Sequence, residues 1–216
     1  MKTSQEILDA INTWTSIIAN PGLLLTNLNQ GYSFVIHRSQ FNTWNGITGV
    51  DTIHAYPAVF SEVMNFVVVD DVTDANPNID YNNVFTCDYT YGKTDTVLAN
   101  IQGPPNNISI EDALERVFRW LMNKTGWVNH AMTSRNGMFQ GFTIPFSDLT
   151  NLFASTEGDD IYVLIGMKSD GSADLILWSD TVSFLDPKSV ADVSCAIPPF
   201  GSEGESAFQL LLQSGQ

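Results

Sequence analysis

The chain has 216 residues, 44% of them hydrophobic and only 15% charged, against about 25% charged in an average domain, so its polar surface rests largely on Asn, Thr, Ser and Gln. That is enough apolar material for one large domain or two small ones. The 24 acids and 9 bases leave a net charge of −15, which repels phosphate backbones and anionic lipid and argues against nucleic acid as a partner.

The first fourteen residues, MKTSQEILDAINTW, have neither the basic start nor the unbroken apolar run of a signal peptide. The expectation is a protein not exported by that route, placed in the cytoplasm by default or in a larger assembly. No stretch approaches 18 uninterrupted apolar residues, so no membrane span is expected. Thr3 and Glu6 form a capping-box pattern, and Ile7, Leu8, Ile11, Trp14 and Ile18 fall on one helical stripe, which predicts a first helix stopped by Pro21 and Gly22.

Residues 34–41, FVIHRSQF, read as a strand turning into a short helix, with Ser39 at the N-cap position. In residues 52–71, TIHAYPAVFSEVMNFVVVDD, the segment NFVVVD is a strand. Pro57 cannot donate to a ladder, so the strand before it is expected at an edge, bulged, or partly helical around Phe60 to Met64. Residues 100–108, NIQGPPNNI, are expected to be a linker. A second helix opens at Ser109, with Glu111 and Asp112 in its first turn and Ile110, Ala113, Leu114, Val117 and Leu121 on its apolar face. Residues 142–149 repeat the strand-to-helix pattern. The clearest β signal follows: a strand at about 161–168, a tight turn at Asp170-Gly171 and a return strand at 174–178. Both strands are nearly continuous in apolar residues over part of their length, which predicts burial on two faces.

The two halves resemble each other. TSQEILDAINTW (3–14) and SIEDALERVFRW (109–120) both start on a hydroxyl residue and end in tryptophan, Trp14 and Trp120. At an offset of 108 residues Phe34 meets Phe142, Ile36 meets Ile144, Ser39 meets Ser147, Ile53 meets Ile161 and Cys87 meets Cys195. The expected fold is α+β: a tandem duplication of a helix, strand, short helix and hairpin unit, spanning 1–103 and 104–216, the copies packed with pseudo-twofold symmetry.

In the second half, Ile161, Tyr162, Gly166, the Asp170-Gly171 turn, Leu175 to Leu177, Cys195 and Pro198-Pro199 form a pattern that resembles a group of small bacterial proteins of uncharacterised function. The resemblance implies a shared fold unit and carries no chemistry.

Residues 87–94 end in the Gly-Lys-Thr of a phosphate loop, but Cys87 stands where that loop needs its first glycine, so a plain turn is expected. Asp74, Asn76, Asn78 and Asp80 alternate as calcium ligands would, without the glycine and glutamate of such a loop; an Asx-rich turn is expected and weak calcium binding stays open. Two cysteines are too few for a disulfide framework, leaving buried thiols or one bond between the halves. His37, His54 and His130 share no spacing, and no catalytic, cofactor or metal residues are assigned. Trp44, Trp127 and Trp178 are the candidates for an interaction or ligand surface. The expected function is a non-enzymatic structural or protein-interaction module that binds a protein partner or itself in a homomeric assembly. The alternative is a sugar- or peptide-binding protein with a pocket between the repeats. A hydrolase ranks third and needs His37 or His54 in a cleft beside a carboxylate.

Overall fold

The computed structural model describes residues 2–91, 108–132, 138–155, 160–179, 190–191, 195–197 and 207–215. Helix α1 (Ser4–Ile17) begins as the sequence predicts: Glu6 N–H donates to Thr3 Oγ1 at 3.2 Å, and Thr3 N–H donates to Glu6 Oε2 at 2.7 Å. Pro21 does not end this helix. It is the first residue of α2 (Pro21–Leu28), where its missing N–H is no loss, and Asn20 caps the turn through Oδ1. Strand β1 (Ser33–His37) runs directly into α3 (Arg38–Asn45); the cap position is His37, not Ser39, and Gln40 Oε1 accepts the His37 N–H at 2.8 Å.

Strands β2 (Thr52–Phe60) and β3 (Val63–Asp70) form a hairpin, followed by the single turn α4 (Asp71–Asp74) and β4 (Phe85–Asp88). Pro57 lies inside a central strand with no helix near Phe60 to Met64. The ladder explains why it is tolerated: β3 pairs with β2 along its whole length, but β5 (Gly141–Pro145) pairs only with Thr52 to Ala55, so β2 is locally an edge at Pro57. The two turn residues, Ser61 and Glu62, both have positive φ, 48° and 70°, the requirement of a two-residue hairpin turn normally met by Asn-Gly. Gln30 braces this turn, its amide donating to Glu62 O at 2.8 Å and its Oε1 accepting the Met64 N–H at 2.7 Å.

Helix α5 (Ile110–Ala131) is capped by Ser109; α6 (Phe146–Ser155) follows β5. The predicted hairpin is β6 (Asp160–Met167) and β7 (Ala173–Ser179), with Gly171 at φ 85° in the turn. Two short strands, β8 (Val190–Ala191) and β9 (Cys195–Ile197), and the C-terminal helix α7 (Gln209–Ser214) complete the described chain.

The protein is thus mixed α and β with two sheets. One has strand order β1-β6-β7-β8, the other β4-β3-β2-β5-β9, and every pairing is antiparallel. Alternation along the strands sorts their side chains onto two faces. The inner faces of both sheets share one apolar cluster, in which Phe34 of β1 stacks on Phe66 of β3 with ring centroids 4.2 Å apart. The outer face of the second sheet meets Ile7, Ala10 and Ile11 of α1 and Leu210 of α7. The outer face of the first meets Ala113 and Val117 of α5. The result is a helix, sheet, sheet, helix stack, which explains why β6 and β7 are buried on both sides.

Trp14 of α1 and Trp120 of α5 converge. Trp14 stacks on Phe139 at 5.7 Å and donates its indole N–H to Phe139 O at 3.2 Å, while Trp120 and Trp127 pack at 6.4 and 5.7 Å from the same ring. These rings belong to the apolar cluster that the two sheets share.

Candidate functional site

The proposed tryptophan surface is not on the surface. Trp44 is 0% exposed and donates to Asn83 O at 3.0 Å; Trp178 is 8% exposed under α5. Trp127 is half-buried, its indole N–H held by Gly171 O at 2.6 Å. All three sit where an amphipathic ring with one polar atom fills core space, each on a different element, so they form no groove.

Two histidines do meet carboxylates. His37 Nδ1 lies 2.6 Å from Asp160 Oδ1 at the end of the β1–β6 ladder, with the imidazole 55% exposed. His54 Nδ1 lies 2.6 Å from Asp74 Oδ2 inside the core, where the two side chains are 4% and 0% exposed. Tyr56, two residues along the same face of β2, donates its hydroxyl to the same Asp74 oxygen, and the N–H of Leu210 donates to the other at 2.9 Å. Phe208 packs on the imidazole at 4.6 Å. Burial first, and then the Asp74 charge, push the Tyr56 phenol well above its ordinary pKa, so it remains a donor at any physiological pH. Asp74 therefore ties α4, β2 and the start of α7 together. The cluster has a base and an acid, but it is enclosed and its polar atoms are turned on one another.

Asp74 is also the first residue of the candidate calcium loop, and its inward side chain removes it from any such ring. Further along, Asn76 Oδ1 accepts the Asn78 N–H at 2.9 Å and Asp80 Oδ1 accepts the Asn82 N–H at 3.1 Å, which are Asx turns. Among the described residues no three His, Cys, Asp or Glu side chains gather as a metal site. Asp70 caps α4 through the Thr73 N–H, and Asp71 accepts from the N–H groups of Asp51 and Thr52. Asp159, the Gly-Lys-Thr at 92–94, the linker from 100 to 107 and Pro198-Pro199 lie outside the described residues.

A bond between the cysteines is ruled out by topology. Cys87 is a free thiol on edge strand β4, and Cys195 is on the opposite edge strand β9 of the same five-stranded sheet. Four strand spacings of about 4.8 Å separate them, far beyond the ~7 Å limit between bridged Cα atoms. Burial pushes the Cys87 thiol up to about 12, against a small opposing effect of the Gln40 amide at 3.7 Å from Sγ.

Two features were not anticipated from the sequence. Arg116, Arg119 and Lys168 gather around a cleft of about 350 Å³ at the start of α5, with Glu115 and Asp170 on its walls. Buried Asp174 anchors two of these cations, Arg116 at 2.7 Å and Lys168 at 3.6 Å. Gly166 allows this approach, since a Cβ there would stand 3.3 Å from Arg116 Cβ. The second feature is the outer side of α5. Phe118 and Met122, one turn apart, are 48% and 81% exposed. One turn further is Gly126, in the interior of a 22-residue helix, where glycine costs about 1 kcal/mol relative to alanine. Apart from its own helix's backbone, no atom of the described residues lies within 4 Å of where its Cβ would be, so packing among them does not require a glycine. The sequence signal for this surface was an apolar pair one position beyond the Val117 and Leu121 stripe, on the side of the helix that should be polar.

Comparison with protein-family models, with curated proteins and with solved structures finds no match to this chain. No helix among the described residues is long and apolar enough to cross a membrane.

Proposed function

We propose that the protein is a non-enzymatic protein-interaction module that docks through the outer side of α5. One observation carries this: Phe118 and Met122 stand exposed on the longest helix among the described residues, beside a glycine that packing among those residues does not call for. Apolar patches rimmed by polar residues mark contact surfaces; here the rim includes Glu115, Asn123 and Asn129, all exposed. The buried state of His54 and Asp74 favours a structural role for that cluster over hydrolysis, because substrate would have to displace both Phe208 and Leu210 to reach it.

The fold also supports a duplicated origin, with units 1–103 and 104–216 that exchange their first strands. β1 of the first unit joins the sheet of β6 and β7, and β5 of the second joins the sheet of β2 and β3. Ile36 pairs with Ile161 in one sheet, and Ile144 with Ile53 in the other; an offset of 108 turns each pair into the other. On this reading each unit completes its partner's sheet, and α1 and α5 are equivalent outer layers.

Light scattering across a concentration series, with a pull-down on immobilised protein, tests the interaction role. The wild type is expected to associate, and Phe118→Ser combined with Met122→Ser to abolish association with the fold intact by circular dichroism. A wild type that stays strictly monomeric and captures nothing beyond the double variant overturns the proposal.

A further inference from the structure

We propose that α7 is a local cover: it lifts from the molecule while both sheets stay folded, and so opens the His54, Tyr56 and Asp74 cluster to small solutes. The helix does not supply its own start. Its N-cap residue, Phe208, makes no side-chain cap bond, and the helix has 6 residues, well below the roughly twelve at which an isolated helix becomes even marginal. The missing cap comes from 136 residues away in the chain. Asp74 Oδ1 accepts the Leu210 N–H at 2.9 Å, which is the bond an N-cap side chain normally accepts from its own helix.

Little else holds α7 down. Leu210 and Ser214 are its buried residues, Leu212 is exposed, and the helix carries no charge. Leu210 joins Ile7, Ala10 and Ile11 of α1 in the outer apolar cluster, with Phe208 and Leu211 partly buried beside it. Gln213 Nε2 donates to Pro77 O at 2.9 Å. The sheets are held far more firmly, through the large cluster in which Phe34, Phe66, Phe142 and Val163 are all fully buried. A segment with few buried contacts opens at a fraction of the free energy of global unfolding.

Two contacts of the cover fall on the cluster itself, the Phe208 ring on the imidazole and the Leu210 N–H on Asp74. Lifting α7 therefore frees Asp74 Oδ1 and one face of His54 in a single movement. The bonds of Asp74 to His54 and Tyr56 join α4 to β2 and do not involve α7, so a base, a carboxylate and a phenol stay assembled as solvent reaches them.

Diethyl pyrocarbonate tests the cover, because it carries an ethoxycarbonyl group to an imidazole nitrogen, with loss of ethanol and carbon dioxide, only where it can reach the ring. Initial rates at each histidine are read by peptide mass mapping, with exposed His37 as the reference in the same sample. In the wild type His54 is expected to react roughly 100- to 10,000-fold more slowly than His37. That rate should stay flat as urea rises to the foot of the unfolding transition, since a local opening exposes little surface. A rate that climbs with the slope of global unfolding from the first addition of urea, or no reaction at His54 below the transition, overturns the proposal. Leu210→Ala is expected to speed the His54 reaction by on the order of tenfold with His37 unchanged. Val163→Ala, a truncation between the sheets, is expected to lower the urea midpoint without speeding it. Equal acceleration by the two variants means that the opening is global, and the cover is overturned. Should Leu210→Ala fail to fold, the urea profile of the wild type decides alone.

Discussion

The two outer layers of the stack each bury a carboxylate between helix and sheet, and they satisfy it differently. Under α1 and α7, Asp74 receives a tyrosine hydroxyl, an imidazole and a backbone N–H from three separate elements, all shielded from water. Under α5, Asp174 is reached from the rim by Arg116 and Lys168, whose side chains are 21% and 34% exposed. A carboxylate held deep in the core by partners from three elements depends on every partner staying in place. One met by cations that themselves reach the rim leaves those cations in contact with water when it is removed, so its loss is buffered. The first arrangement locks elements together, and the second leaves a polar cleft open beside the exposed side of α5.

The largest effect expected from this contrast is at Asp74. Asp74→Ala strands the Tyr56 hydroxyl, the His54 ring and the Leu210 N–H without their acceptor, and should lower stability by about 3–5 kcal/mol in urea unfolding. A loss no greater than that of Asp174→Ala would end the comparison.

Alkaline pH probes both faces of the five-stranded sheet, Tyr56 on the side of α1 and α7 and Cys87 in the cluster between the sheets. Cys87 and Tyr56 belong to the five-stranded sheet, and burial raises the pKa of both above their ordinary values of 9.0 and 10.0, the thiol to about 12. Below pH 9 the folded and unfolded thiols are both protonated and the full stability is present. Between pH 9 and about 12 the unfolded thiol ionises while the folded one does not, so stability falls as pH rises, by at most about 1.4 kcal/mol per pH unit per group. Urea midpoints measured from pH 8 to 11 should decline, with Tyr56 ionising only on unfolding in 295-nm absorbance. A flat profile would mean the layer is less dry than its geometry implies.

Asp174→Ala should cost about 1–3 kcal/mol, and the wild-type contribution of this pair should shrink in 1 M salt, where rim charges are screened. A salt-independent loss would place Asp174 in the same class as Asp74.

The smallest effect is at the hairpin turns, where the layers again differ. Gly171 has its positive φ without strain, whereas Ser61 and Glu62 hold theirs against their side chains, with Gln30 bracing them. Glu62→Gly should therefore stabilise by up to about 1 kcal/mol and Gly171→Ala should destabilise by about 1 kcal/mol, both read as shifts in Tm.

Much of the local structure was legible because it depends on near neighbours. The Thr3–Glu6 box, the Ser109 cap and the Asp170-Gly171 turn each need only a few adjacent residues, and all formed where the pattern predicts. Pro21 was misread because proline ends one helix and begins the next with equal ease, and only the Asn20 cap distinguishes them. The tryptophans were misread because an aromatic residue carries no mark of which face it will occupy. Trp44 donates its indole N–H to Asn83 O, a contact set by folding across 39 positions.

The amino-acid order alone determined the starts of α1 and α5, the second hairpin, the two-sided burial of its strands and the excess of acids, since propensity, capping and periodicity act over a few residues. Only the tertiary structure decided that β1 and β5 each join strands from the far half, that Cys87 and Cys195 stand at opposite edges of one sheet, that His54 and Asp74 meet in the core, and that Phe118 and Met122 remain outside it. Those outcomes depend on which surfaces find each other after the local elements have formed, and strand pairing between distant segments leaves no trace in any short window of sequence.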